Sequence, residues 1–140
     1  MPRDPQEAVD PLEHRFRDVR AATEALVAAL SDEDQCVQSM PDASPAKWHR
    51  AHTTWFFETF VLTPRLPDYR AFDPVFGFLF NSYYESVGAR HPRPMRGLLT
   101  RPSSATVGRY RAHVDAAMQA AWPRLPRAAR ALVELGLQHE

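Results

Sequence analysis

Residues 48–58, WHRAHTTWFFE, place two histidines and a carboxylate among aromatic side chains in one apolar segment. Ser44 and Pro45 precede the segment as a helix N-cap and a proline at the first helical position, and the helix is predicted to run to about Leu62. A buried histidine at position 52 needs a partner, which could be a metal ion, a carboxylate or a backbone carbonyl. At 3.6 residues per turn, one stripe of this helix carries Trp48, His52, Trp55, Thr59 and Leu62.

The composition restricts the class of protein. A chain of 140 residues forms one domain that is long enough to bury a core. Its 17 lysines and arginines balance its 17 aspartates and glutamates, so it lacks the positive field of nucleic-acid-binding proteins, and no nucleic-acid partner is expected. No signal peptide opens the sequence, and no run approaches the ~20 apolar residues of a membrane span. We therefore expect a soluble, cytoplasmic protein without a membrane partner.

The N-terminal segment has the pattern of an amphipathic bundle helix. Asp10 and Pro11 can open this helix, and its apolar residues then recur at spacings of three and four. The charged residues fall on the other face, which is predicted to be solvated. The apolar set is Leu12, Phe16, Val19, Thr23, Leu26 and Leu30, and the charged set is Glu13, Arg17, Asp18, Arg20 and Glu24.

Two further helices are predicted in the C-terminal part. Ser103 or Ser104 caps the first, and the second begins near Pro126. The apolar stripe of the last helix reaches His139 and is still running at the final residue without a capping residue, so we expect a fragment that ends inside a helix. The two stripes are Val107, Tyr110, Val114, Met118 and Ala121, and then Ala128, Leu132, Leu135 and His139.

The segment between the second and third long helices is predicted to be a crossover. Three prolines interrupt residues 63–74, and the aromatic residues 75–85 are predicted as a short helix because no second strand is present to pair with them. Residues 88–102 contain glycines, prolines and four arginines, which is typical of a long irregular loop, and loops of that length are usually functional or disordered. The predicted fold is an all-α, antiparallel four-helix bundle with a long crossover.

Two histidines are predicted to face each other inside this bundle. His52 and His139 lie on the apolar stripes of different helices, and bundles of this kind hold metal ions between facing helices. A catalytic non-haem iron or zinc site needs about three protein ligands and an open position. The third ligand could therefore lie beyond residue 140.

Four stretches of the sequence carry a resemblance to a known family. Residues 39–60 (SMPDASPAKWHRAHTTWFFETF), 80–84 (FNSYY), 91–97 (HPRPMRG) and 136–140 (GLQHE) closely resemble the N-terminal DinB-like domain of ergothioneine-biosynthesis sulfoxide synthases. The resemblance implies an enzyme that uses non-haem iron(II) and O2. Its reaction joins a thiol, cysteine or gamma-glutamylcysteine, to C2 of the imidazole of N-alpha-trimethylhistidine (hercynine), giving a sulfoxide.

The resemblance also implies the roles of individual residues. Family iron is held by three histidines, which puts His52 and His139 in the ligand set, while the third histidine of the His-Glu-x-x-His motif has no counterpart in these residues. One loop arginine grips the carboxylates of the thiol substrate, and Arg93 and Arg96 are both candidates. Other substrate contacts belong to a C-terminal formylglycine-generating-enzyme-like domain that is absent here. Residues 1–140 alone are thus expected to be inactive, with no catalytic residue of their own.

Two alternatives remain open at this point. DinB-like bundles also include metal-dependent thiol transferases and isomerases that work without O2, although residues 44–49 and 80–84 favour the sulfoxide synthases. The other alternative is a non-catalytic helical module that packs on a partner domain.

Overall fold

The computed structural model describes residues 10–82 and 89–140, and these residues contain helices but no strand. The all-α prediction is confirmed. The α-helices are α1 (Pro11–Val27), α2 (Ala46–Phe57), α3 (Thr63–Arg65), α4 (Phe76–Leu79), α5 (Ser104–Ala121) and α6 (Arg127–His139). A π-helical turn, Glu58–Leu62, joins α2 to α3, and 3-10 turns cover Asp34–Cys36, Arg93–Leu98 and Trp122–Arg124.

Contacts between the long helices define their relative directions. Helix α1 runs antiparallel to α2, because Phe16 packs on Phe57 at a ring-centroid distance of 5.2 Å while Glu24, farther along α1, binds Arg50. Helix α1 runs parallel to α6. Their ion pairs join Asp10 to Arg130 near the start of both helices, and Arg20 in the middle of α1 to Glu140 just after α6.

Helix α5 runs parallel to α2, which explains the crossover. Arg50 donates to the carbonyl of Ser104 at 3.4 Å, and one turn later Thr54 lies 3.4 Å from Arg111. Two parallel neighbours cannot be joined by a short turn, so the connection must return along the bundle. Residues 66–103 make this return, in agreement with the predicted long crossover.

The predicted caps are found at two helix starts. The side chain of Asp10 accepts from the N–H of Leu12 at 2.8 Å, and Ser103, rather than Ser104, accepts from the N–H of Thr106 at 3.1 Å. Helix α2 begins one residue later than predicted, with Pro45 in the cap position.

The predicted end of the second helix was wrong by three residues, because the chain stays helical through Pro64 to Arg65. Proline has no N–H, so the carbonyl of Phe60 loses its helical donor. The guanidinium of Arg65 replaces that donor at 2.8 Å. The π-helical turn just before this point lengthens the hydrogen-bonded ring locally and lets the helix pass the proline.

The predicted stripe of α1 was correct at its start and wrong at its end. Phe16 is fully buried, but Leu26 is 81% exposed because the helix passes beyond the packed part of the bundle. The charged face was also wrong in part, since Glu13 and Arg20 are buried. Arg20 enters the interior because carboxylates on other helices bind it there.

The stripe of α6 was predicted one residue out of register. The buried positions are Ala129, Val133, Gly136 and Leu137, whereas Ala128 and Leu135 are exposed. The two faces have similar hydrophobicity in this alanine- and leucine-rich helix. Only packing against the Phe rings of α2 distinguishes them.

Hydrogen bonds attach the crossover to the segment that precedes α2. Helix α4 covers only Phe76–Leu79 of the predicted helix 75–85, of which residues 83–85 lie outside the described residues. In the arginine-rich loop, Gln38 accepts from the N–H of Gly97 at 2.6 Å and donates to the carbonyl of Arg93 at 2.8 Å. These bonds hold both candidate loop arginines beside the bundle.

Candidate functional site

His52 lies between two indole rings in the middle of α2. Its ring stacks on Trp48 at a centroid distance of 4.6 Å and on Trp55 at 5.6 Å, with interplanar angles of 15° and 16°. Only 4% of the residue is exposed. The prediction that His52 shares a buried stripe with these tryptophans is confirmed, and the two indoles fix the plane of the imidazole.

A hydrogen bond determines which nitrogen of His52 is available. Nδ1 lies 2.6 Å from the carbonyl oxygen of Phe80, so this nitrogen carries the proton and donates it. The Nε2 nitrogen then keeps its lone pair. Burial lowers the pKa of His52 to about 4, against the raising effect of the bond to Phe80. A neutral imidazole with its other nitrogen tied to a carbonyl is the usual arrangement of a metal-binding histidine.

His139 meets His52 from the last turn of α6. The ring centroids are 5.0 Å apart, and the rings are nearly perpendicular, at 86°. The predicted juxtaposition of the two histidines is therefore present. The prediction that His139 points into the bundle was wrong, because the residue lies one position before the buried face of α6 and is exposed.

Gly136 brings α6 close enough for this contact. A Cβ atom added at Gly136 would lie 2.7 Å from the ring of Phe57 and 2.8 Å from that of Phe56. Any side chain at this position would push α6 away from α2. Three residues later, His139 also lies 6.2 Å from Phe56, measured between ring centroids.

Glu140 anchors the end of α6 beside His139. Its carboxylate accepts from Thr23 at 2.8 Å and Arg111 at 2.9 Å, and it pairs with Arg20 at 3.1 Å. Burial alone would raise the pKa of Glu140, but the two guanidinium groups outweigh it and lower that pKa. These hydrogen bonds and ion pairs hold the ionised side chain of Glu140, and thus the end of α6 next to His139, in place.

Two cavities open onto the histidine pair. One has a volume of about 220 Å³ and the other about 280 Å³. His49, His52 and His139 line both. The smaller cavity also contacts the arginine-rich loop, so charged side chains surround it.

Arg96 supplies a buried cation to the smaller cavity. It is 3% exposed, its guanidinium carbon lies 3.5 Å from the centroid of a Trp48 ring, and it donates to Ser44 at 2.8 Å. Its Nε–H is buried and has no hydrogen-bond partner among residues 10–82 and 89–140. Burial lowers the pKa of Arg96 to about 10, and the charges of Arg93 and Arg90 act in the same direction, so the group stays charged at neutral pH.

Arg93 lines the same cavity and is half-buried. The structure therefore brings both predicted loop arginines to the histidine pair. The sequence offers no way to choose between them, because the choice depends on how the 3-10 turn Arg93–Leu98 orients each side chain. Arg96 is the more deeply buried of the two.

His49 is a site residue that the sequence reasoning did not assign. Burial lowers its pKa, and the nearby charges of Arg96 and His139 lower it further. A residue three positions before His52 on a helix lies on nearly the same face, so this spacing was the available signal.

The described residues provide two imidazoles rather than a complete metal site. Within residues 10–82 and 89–140, no three His, Cys, Asp or Glu side chains converge into a set that could hold a metal ion. Two imidazoles fit part of a divalent-metal ligand set, and they leave several coordination positions for other ligands.

This fold and site define a helical-bundle domain with an interhelical histidine pair beside a cationic cavity. The sequence model of the DinB superfamily matches residues 15–139, which is most of the chain, and the chain therefore belongs to the DinB superfamily. No curated protein matches the sequence. None of the helices in the described part of the chain is long and apolar enough to span a membrane.

Proposed function

We propose that this chain is the iron-binding domain of an O2-dependent sulfoxide synthase. The reaction would join cysteine or gamma-glutamylcysteine to C2 of the imidazole of N-alpha-trimethylhistidine. The observation that carries the proposal is the 5.0 Å contact between His52 and His139, with Nε2 of His52 available beside a cavity that contains a buried arginine. Membership of the DinB superfamily supports the metal-binding part of this proposal.

In this proposal His52 and His139 hold the metal. The resemblance places a third histidine after Glu140, which would complete the about three protein ligands of a catalytic site. Bound iron(II) would supply the positions at which a thiolate and O2 meet. The stacked indoles of Trp48 and Trp55 keep water from His52 and hold its ring in one plane.

The loop arginines bind the thiol substrate in this proposal. Arg96 already has a fixed position on Trp48 and an unused Nε–H, so a substrate carboxylate entering the cavity would find a preorganised donor. Arg93 lies beside it and adds positive charge. A thiol that carries carboxylates is therefore a better match to this cavity than a simple alkyl thiol.

Metal binding is tested by anaerobic titration of the 140-residue chain with iron(II). We expect weak binding, because two imidazoles are fewer than a catalytic site needs. His52→Ala should abolish this binding, whereas His14→Ala should not change it, because the His14 side chain is 68% exposed on α1. Tight one-to-one binding by residues 1–140 would contradict the proposed ligand set.

The reaction is tested on the natural polypeptide that contains this domain. With iron(II), O2, trimethylhistidine and each thiol, we expect mass spectrometry to detect the sulfoxide-linked product, and His52→Ala should remove both iron and turnover. Thiol transfer that proceeds equally well without O2 would instead assign the protein to the thiol transferases or isomerases of the same superfamily.

A further inference from the structure

A separate cavity lies next to Trp55, away from the histidine pair. It has a volume of about 420 Å³, which is within the range of small-molecule sites. Trp55 contributes to its wall while also stacking on His52. No histidine, lysine or arginine in the described part of the chain lines this cavity. The described residues that line it therefore carry no positive charge, in contrast to the arginine-containing cavity beside His139.

Glu58 gives this cavity a buried negative charge. The residue is 5% exposed and lies in the π-helical turn that follows α2. Its oxygens accept hydrogen bonds from the hydroxyls of Tyr69 and Tyr110 and from the N–H of Phe72. Both side-chain oxygens of Glu58 therefore act as hydrogen-bond acceptors. All three donors are neutral.

The other buried carboxylates of the bundle differ from Glu58 in this respect. Glu13 pairs with Arg17 at 3.1 Å, and Glu140 pairs with Arg20 and Arg111. Among the described residues, Glu58 has no such cationic partner. A buried charge without a counter-charge is costly, and a cationic ligand would reduce this cost.

Asp73 and Phe78 also line this cavity. Asp73 adds a second carboxylate, one oxygen of which accepts from the N–H of Val75, just before α4, at 2.9 Å. Phe78 lies on the opposite end of α4 and is 41% exposed, and Trp55 is 1% exposed. Aromatic faces attract organic cations, whereas Mg²⁺ and Ca²⁺ prefer shells built from oxygen ligands.

We propose that this cavity binds a small organic cation of the alkylammonium class. The aromatic rings of Trp55 and Phe78 would contact the alkyl groups on nitrogen, and the carboxylates of Glu58 and Asp73 would balance the charge. This site needs no metal, so it stands independently of the proposed iron chemistry. Because Trp55 contacts both His52 and the cavity, an occupant would lie one side chain away from the histidine pair.

Calorimetric titration of the EDTA-treated chain tests the proposal with two matched probes, choline and 3,3-dimethylbutan-1-ol. The probes have the same shape, and only choline is charged. We expect saturable choline binding that is at least about tenfold tighter than binding of the neutral alcohol, because only the charged probe gains cation–π contacts and attraction to the carboxylates. Equal affinity for both probes would overturn the proposal.

Three variants locate the binding. A Cβ atom at Gly77 would meet no atom of the described residues within 4 Å, so Gly77→Leu should fill part of the cavity without a clash and abolish choline binding. Phe78→Ala and Asp73→Asn should each weaken it several-fold, and the side-chain oxygen of asparagine can still accept from the N–H of Val75. The control is Asp68→Asn, an exposed acid in the same crossover, which should leave affinity unchanged. Unchanged affinity in the Gly77 and Asp73 variants, with normal circular dichroism, would refute this location.

Discussion

The two loop arginines differ at the scale of single residues, and this difference leads to a prediction. Arg96 is buried with an unused Nε–H, while Arg93 is half-buried and its carbonyl is bound by Gln38. In the active polypeptide, Arg96→Ala should raise the Michaelis constant for the thiol by ten- to more than hundredfold. This factor corresponds to the roughly 1.5–3 kcal/mol of a charge-assisted hydrogen bond.

The constant for trimethylhistidine and the iron content should remain nearly unchanged, as steady-state kinetics with each substrate varied in turn and metal analysis will check. Arg96→Lys separates binding from packing, because lysine keeps the charge but loses the planar fork. Arg101→Ala is the control, since Arg101 is exposed in the same loop. If Arg93→Ala carries the larger effect, Arg93 is the clamp instead.

The sequence predicted His52 from a stripe that is buried, whereas it predicted His139 from the face of α6 through Ala128 and Leu135, which is exposed. It could not predict the bond that selects the tautomer of His52, since the carbonyl of Phe80 arrives from the crossover, 28 residues away. It also placed Arg20 in solvent. An arginine among charged neighbours is usually solvated, and only the packed bundle shows the carboxylates that surround it.

At the scale of helices, Gly136 controls how closely α6 approaches α2. Because its added Cβ would meet the rings of Phe56 and Phe57 below 3.0 Å, Gly136→Ala should lower the free energy of unfolding by about 1–3 kcal/mol. The displaced helix should also carry His139 away from His52 and weaken iron(II) binding. Thermal or urea unfolding and metal titration measure the two effects.

Gly108 in α5 provides the matched control. An added Cβ there lies 3.6 Å from a guanidinium nitrogen of Arg50, which is ordinary contact, so Gly108→Ala should stabilise the helix by about 0.5–1 kcal/mol. The metal affinity of this variant should not change. Equal behaviour of the two glycine variants would mean that the approach of α6 to α2 does not depend on Gly136.

The long helices were predictable from periodicity and caps, but the register of α6 was not. Its sequence offers two apolar faces, one through Leu132 and one through Val133, and both continue for three turns. The face that packs contains Gly136, a residue that hydrophobicity patterns treat as neutral. Close packing against two phenylalanine rings, rather than hydrophobicity, decided the register.

At the scale of the whole molecule, buried charges join the four long helices. Arg20 on α1 binds Thr54 on α2 at 2.6 Å, Asp115 on α5 at 2.7 Å and Glu140 after α6 at 3.1 Å. Burial raises the pKa of Asp115 in spite of this pairing. Glu140, a member of this network, directly follows His139 in the chain. The network therefore links the stability of the bundle to the position of the candidate ligand.

Arg20→Met should be strongly destabilising, because it removes the guanidinium that pairs with Asp115 and one of the two that pair with the buried Glu140, while preserving much of the side-chain volume. Breaking a buried ion pair costs about 3–5 kcal/mol. Arg15→Met removes only the exposed pair with Glu134, at 3.4 Å, and should cost less than about 1 kcal/mol. Urea unfolding at neutral pH compares the two. If the two variants were equally stable, the interior charges would not hold the bundle together, and packing alone would have to fix the end of α6 beside His52.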